Sequence, residues 1–481
     1  MFDTYELEGF FDEMFEDLKH PHTHCQSFYE KLTSLKVADL KARHDLAQQD
    51  FLRQGITFTV YSDNQGTERT MPFDFVPKII PSKDWDDLEK GLKQRFEALN
   101  AFLDDVYHDQ QILKDGIIPR DLIVNCPHFL HQVSGIDVPR KQHIFIAGID
   151  LIRDKDGEYR VLEDNLRNPS GLSYVFQNRY VMRKVYPEFF FDYSVRSLEQ
   201  QFSHLHGAMA SLAPPQSKNP TIVLLTPGIF NSAYYDHSFL AQQTGIELVE
   251  GRDLVVKNRH VYMKTTRGLQ KVDVLYRRID DEFLDPLEFR EDSLLGVPGL
   301  IDVYRSGNVS ILNGIGNGVA DDKAVYHYVP DMIRYYLNEE PLIKNVETYL
   351  LRDPKQLAYV LDHLSELVVK QTNASGGYNM LIGPHATKQE IEAYRKQIVA
   401  NPADYIAQPT MKLSRLATFK GEQFAPCHVD LRVYIFGGED THVFPGGLSR
   451  VALKEGSLVV NSSQGGGAKD TWVLENIQSQ D

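Results

Sequence analysis

Two acids and an amide stand close together in the chain: Asp150, Glu163 and Asn165. The segments IFIAGIDLIRD (144–154) and EYRVLEDN (158–165) flank a Lys-Asp-Gly turn, which predicts two opposed strands. Opposed strands bring Asp150 toward the Glu163–Asn165 end, and the i, i+2 spacing aims Glu163 and Asn165 at one face. Two carboxylates and an amide oxygen form a hard, all-oxygen donor set, suited to Mg²⁺ rather than Zn²⁺. Taken alone, the same residues also describe a hairpin with a solvated acidic face. Arg167 and Ser170, followed by Gly171, add a cation and a hydroxyl beside the acids, as phosphate contacts would.

Cations recur further along. Lys370 ends the apolar run VVK and points into a pocket if Val368 shares its face. The SGG that follows (375–377) contributes Gly376 and Gly377, whose bare amides can close over phosphates. It is not a Walker A loop, because GxxxxGK[ST] occurs nowhere in the chain. Lys323 follows a loop rich in glycine and asparagine and opens a helix, where it could reach a phosphate or simply be solvated. In HVDLRVYIF (428–436), His428, Asp430 and Arg432 alternate with Val429, Leu431 and Val433, so one strand face lines a site with Arg432 as a phosphate clamp. Gln408, before Pro409, stands where a hinge backbone could meet an adenine edge. His20, His22, His24 and Cys25 resemble a metal cluster, but Pro21 and the terminal position favour an exposed loop. GxSxG, HExxH and GxGxxG are absent, so hydrolase, zincin and dinucleotide readings lose their support.

The elements that must position these residues follow from hydrophobic period. From Asp84 to about His108, Leu88, Leu92, Phe96, Leu99, Leu103 and Val106 recur at spacings of 3 and 4, a helix with one buried face. Residues 1–20 read as an acidic amphipathic helix, and 26–54 as a second helical stretch. Pro214, Pro215 and Pro220 mark a boundary. Beyond it, TIVLLTPG (221–228), a helix at 232–244 and IELVEG (246–251) suggest a βαβ unit in a Rossmann-like subdomain. VDVLYRRID (272–280) continues that sheet. A helix is expected over 324–337, and strand–glycine loop–strand over 366–381. YIAQPTMKL (405–413) and CHVDLRVYIFGG (427–438) read as further strands, and a second glycine loop lies within 456–472. The class is α/β (α+β). The divisions are a helical region 1–75, a metal-binding lobe 76–215, the Rossmann-like subdomain 216–312, a lobe 313–410 with the lysines and glycine loop, and closing strands 411–481.

The 481-residue chain carries a formal net charge of −16, which argues against broad binding to nucleic acid or an anionic membrane. No stretch approaches the ~18–20 uninterrupted apolar residues of a membrane span. Three scattered cysteines without CxxC suggest neither a disulfide framework nor a zinc site, and with no secretory signal the expected compartment is the cytoplasm.

With these residues in hand, the chain resembles the ATP-grasp superfamily. Within it, the chain is similar to the circularly permuted members related to the synthetase part of glutathionylspermidine synthase. The resemblance covers about residues 75–475 and rests on GIDLIRDKDGEYRVLEDNLRNPSGLSY (148–174), NGIGNGVADDKAVY (313–326) and HVDLRVYIF (428–436). In ordinary ATP-grasp enzymes the lysines and glycine loop precede the acidic-x-Asn strand; here they follow it. The resemblance implies ATP and Mg²⁺ as cofactors, with Asp150, Glu163 and Asn165 as metal ligands. It makes Lys323 and Lys370 the nucleotide lysines, Gly376 and Gly377 the phosphate loop, Gln408 an adenine neighbour and Arg432 a phosphate contact. It also implies an ATP-dependent ligase joining a small-molecule or peptide carboxylate to an amine through an acyl phosphate. That synthase has an arginine two residues before its first metal aspartate. Gly148 stands there in this chain, so stabilisation of an acyl phosphate falls to Arg167 or Arg278. The amidase domain of that synthase has no counterpart here. A kinase on the same platform and a non-catalytic ATP-binding scaffold are the alternatives.

Overall fold

Ile146–Arg153 and Tyr159–Asn165 pair antiparallel, as the turn between them predicts, with Asp150 opposite Glu163 and Gly148 opposite Asn165. The computed structural model describes residues 1–18, 20–62, 65–373, 380–453, 460 and 466–476, and within 58–69 the backbone alone. Gly376, Gly377 and most of the second glycine loop lie outside the described residues.

The two acid-bearing strands are part of a nine-stranded sheet built from distant parts of the chain. Its long strand Phe424–Phe436 sets Arg432 opposite Asp150 on one side and Asp430 opposite Arg450 on the other. Alternation sorts the two faces. Leu431, Val433, Ile435, Ile149 and Leu151 join the core beneath the helix Ser82–Tyr107, whose Leu92, Phe96, Leu99 and Leu103 are its buried stripe. Asp150, Asp430 and Arg432 turn to the opposite face. Phe73–Ile80 closes the far side, buried along its whole length and parallel to Gly467–Val473.

A separate four-stranded parallel sheet has Ile222–Leu225 at its centre, flanked by Glu247–Val249 and by Val274–Arg277, with Ser310–Leu312 outermost. The helix Tyr234–Thr244 makes the first crossover, the expected βαβ unit. Just past the last strand, Asn313 ties this sheet to the large one. Its amide oxygen accepts from the N–H groups of Phe145 and Ile146, and its nitrogen donates to the carbonyls of Ile146, Leu166 and Arg167. A smaller antiparallel sheet holds Leu367–Gln371 between Met380–Ile382 and Tyr405–Pro409. Val369 and Ala407 fill its own core, so Lys370, beside Val369 in sequence, emerges on the other face.

Two expectations fail. The first 20 residues are not a helix: they run as turns and the short strands Phe15–Asp17 and His20–Pro21. Glu8 and Gly9 both adopt positive φ, which breaks a helix. Phe2, Tyr5 and Phe15 then cluster with one another and with Tyr29, an arrangement that tertiary packing rather than helical period sets. The helix expected over 324–337 is broken into Lys323–Tyr326, Val329–Met332 and a wider π turn Ile333–Leu337. Pro330 has no N–H to continue the ladder of the preceding turn. The stretch 26–54 forms two helices, Gln26–Ser34 and Val37–Arg53.

Candidate nucleotide and metal site

The large sheet and the small sheet face each other across a cleft. Glu163 of the large sheet, Lys370, Ile406 and Gln408 of the small sheet, and Lys323 and Tyr326 of the helical turn Lys323–Tyr326 line it. Asp322 caps the turn that Lys323 opens, accepting from the Ala324 N–H at 2.8 Å, and the Lys323 N–H reaches the Thr372 carbonyl of the small sheet at 3.0 Å. So anchored, Lys323 Nζ lies 2.7 Å from Glu163 Oε1.

Lys370 Nζ donates to Gln408 Oε1 at 2.8 Å, and Gln408 Nε2 donates to Thr348 Oγ1 at 3.0 Å. Thr348 thus fixes the orientation of the Gln408 amide, whose oxygen holds the lysine. Burial pushes the Lys370 ammonium down to about 8, against the opposing pull of the Glu163 charge.

Asp150 is buried between two guanidinium groups. Arg432 donates Nε and a terminal nitrogen to its two oxygens at 2.6 and 2.9 Å, and Arg450 donates to Oδ2 at 2.8 Å. Burial alone would raise this carboxyl; the two arginines override it and hold it well below the usual carboxylate range. Asn165 donates its side-chain N–H to the Gly148 carbonyl at 3.2 Å, which leaves its amide oxygen as the donor toward a cation. Asp164, between Glu163 and Asn165, turns to the other face and is clamped by Arg95 at 2.6 and 2.7 Å.

The donors fit Mg²⁺. Among the described residues no group of three or more His, Cys, Asp or Glu side chains gathers to hold a metal. Two carboxylates and an amide on adjacent positions of paired strands is instead the partial set Mg²⁺ takes when water and phosphate oxygens complete its shell. A carboxylate offers about four lone-pair positions, and the arginines occupy three of those on Asp150, so one on Oδ1 remains.

The other predicted residues are placed as follows. Arg167 bonds Asp321 at 2.9 Å, and Asp321 itself lines the cleft. Arg278 is buried beneath the loop after Asn165, donating to the carbonyls of Pro169 and Asn168, 3.6 Å from Asp236. A side chain at 148 would place its Cβ 2.8 Å from Pro169 Cβ and 3.3 Å from Arg432 Cδ, so the arginine beside Asp150 comes from the neighbouring strand. Sequence reasoning missed Arg450, Asp321 and Thr348. The one signal for Arg450 is a lone charge inside the apolar run LSRVAL (448–453).

A protein-family model described as circularly permuted ATP-grasp type 2 matches residues 77–452. An uncharacterized protein of Synechocystis sp. is 52% identical over 98% of both chains. One of Mycobacterium tuberculosis is 50% identical over 98% of this chain and 85% of its own. A Frankia alni protein provisionally named glutamate–cysteine ligase is 40% identical over 98% of this chain but only 54% of its own length, so the chain spans about half of it. Among solved structures, a glutathione synthetase-like effector from Globodera pallida superposes with a TM-score of 0.59 at 12% identity. The match covers 92% of this chain and 98% of that one, a likeness of fold.

Proposed function

Because the chain belongs to the circularly permuted ATP-grasp family of type 2, we propose that it is an ATP- and Mg²⁺-dependent ligase that joins a carboxylate to an amine. The observation that carries this reading is the meeting of Glu163, Lys323 and Lys370 in one cleft, with Asp150 and Asn165 on the same sheet face. Glu163, Asn165 and Asp150 would hold Mg²⁺, which would supply charge neutralisation at the phosphates. Lys323 and Lys370 bind phosphate oxygens, and Arg432 stabilises charge at the transferred group; all three act electrostatically rather than as acid or base. The substrate carboxylate attacks the γ-phosphorus, ADP leaves, and the acyl phosphate then meets an amine, which expels phosphate and forms the amide. Arg167, across Asp321 from the cleft, and Arg278 are the further cations on the substrate side of the acids. The name of the Frankia alni relative favours an amino-acid acid and amine, although it attaches to a protein about twice this length.

The test is ADP release in pools of acids and amines, with hydroxylamine as a trap. A hydroxamate that requires ATP and one acid supports the ligase. A stable phosphorylated product with no hydroxamate assigns the site to a kinase instead, and no ATP turnover with any pool sinks both.

A further inference from the structure

Four charges stand in an unbroken row on the polar face of the large sheet: half-buried Arg432 at one end, then the buried Asp150, Arg450 and Asp430. The two arginines are not equivalent. Arg450 is held by carboxylates on both sides, donating to Asp430 Oδ1 and Oδ2 at 2.8 and 2.5 Å and to Asp150 Oδ2 at 2.8 Å. Arg432 has one carboxylate, Asp150, and its only other bond among the described residues is a long one to the Ser170 carbonyl, 3.5 Å away. It sits at the end of the row beside the loop that follows Asn165, and it is the more exposed of the two.

We propose that Arg450, anchored by Asp430, is a positioning residue that acts as the permanent counter-ion of Asp150 and so frees Arg432 to trade that carboxylate for an anionic ligand when a cation arrives. The proposal rests on the nucleotide-site reading above. A cation that approaches the open position on Asp150 Oδ1 competes with Arg432, not with Arg450, because Arg450 is bound to the far oxygen. Were Arg432 the sole partner, displacing it would leave a buried carboxylate whose orientation nothing fixed. With Arg450 in place, Asp150 keeps one oxygen tethered and turns the other to the cleft. The released Arg432 guanidinium is then a second cation at the phosphates.

The experiment is calorimetric titration of ATP, without Mg²⁺ and across a Mg²⁺ series, into the wild-type chain, Asp430→Asn and Arg450→Lys, each checked by thermal melting. Asp430→Asn keeps the size of the side chain but loosens Arg450. Its need for Mg²⁺ is expected to rise about 10- to 100-fold, the usual cost of losing an outer partner of a metal ligand, while metal-free ATP binding stays unchanged. Arg450→Lys keeps one charge but not the fork, and should fall between wild type and Asp430→Asn. The inference is overturned if a cooperatively melting Asp430→Asn needs no more Mg²⁺ than wild type, or if ATP affinity falls equally with and without the metal. Should Asp430→Asn not melt cooperatively, Arg450→Lys decides by the same two readings. A wild-type chain that binds no ATP at any Mg²⁺ level fails the nucleotide reading itself, which separates the two failures.

Discussion

At Lys370, burial and charge pull in opposite directions. The ammonium is enclosed in the cleft with a neutral acceptor, Gln408, and burial brings its titration to about 8. It is charged below that pH and neutral above it, so the free enzyme should lose ATP affinity, and kcat/KM for ATP, as pH rises through about 8. In Lys370→Arg the guanidinium stays charged far above that range, and the basic limb should move out of reach. A limb that stays near 8 in the arginine variant contradicts this assignment. The sign for stability is the reverse. A lysine whose folded value lies below its ordinary 10.5 destabilises the fold while charged, and that cost fades as pH rises from about 8 toward 10.5. Lys370→Met should therefore melt no lower than wild type at neutral pH while losing ATP binding. A drop in melting temperature of several degrees would show that Lys370 holds the fold as well as the ligand. Sequence could identify Lys370, because a cation ending an apolar strand is conspicuous. The adjacent role of Gln408 was not legible: in the structure its amide faces Lys370 and Thr348, contacts fixed by strand pairing across the small sheet.

The elements show where sequence is informative and where it stops. The helix Ser82–Tyr107 and the strand pair around the Lys-Asp-Gly turn are legible, since a 3.6-residue stripe and alternation about a tight turn are local patterns. The Arg432–Asp150–Arg450–Asp430 row is not, because its members come from three strands joined only in the folded sheet. Gly148 acquires its meaning the same way. Gly148→Ala puts a methyl against Pro169 and the Arg432 side chain, and is expected to cost about 1–3 kcal/mol in denaturant unfolding and to weaken ATP binding. Wild-type stability and affinity in that variant would mean that the close approach is not what excludes a side chain. Asn313 is the hinge between the parallel sheet and the acid-bearing strands, with five backbone groups on one buried amide. Asn313→Ala leaves those groups unpaired and should destabilise by at least about 2 kcal/mol, measured by urea unfolding. A smaller loss would indicate that water or a shifted backbone replaces the side chain.

At the scale of the whole molecule, the N-terminal arm belongs to the same architecture as the site. Glu13 is buried against Lys78 of the Phe73–Ile80 strand and bonds Arg153 at 3.2 Å, three residues beyond Asp150. The arm's backbone also joins the sheet, with the Glu13 N–H donating to the Arg415 carbonyl at 2.8 Å. Burial would raise the Glu13 carboxyl; Lys78 and Arg153 override it and bring it to about 2. A folded value below the ordinary 4.5 means this carboxylate stabilises the fold above about 4.5, and that contribution is lost as pH falls toward 2. Burial pushes Lys78 down in the same pair, so the net gain is smaller than the carboxylate's share alone. Removing one partner is the severe change: Glu13→Ala leaves Lys78 as an uncompensated buried charge and should cost about 3–5 kcal/mol in urea unfolding at pH 7. A chain that loses much less would place the arm outside the cooperative unit. Nothing local in the first 20 residues announces this role, because Glu13 finds its partners Lys78, Arg153 and Arg415 on strands distant in sequence.

The central claim is that the cleft between Glu163 and the two lysines binds ATP with Mg²⁺, and calorimetric titration of ATP with Mg²⁺ into wild type and Glu163→Gln tests it most directly. Glutamine keeps the shape and a contact to Lys323 but offers the metal no carboxylate. Wild type should bind ATP more tightly with Mg²⁺ than without, and Glu163→Gln should lose that difference. If Glu163→Gln binds ATP with Mg²⁺ as wild type does, Glu163 is not a metal ligand and the site has been misassigned.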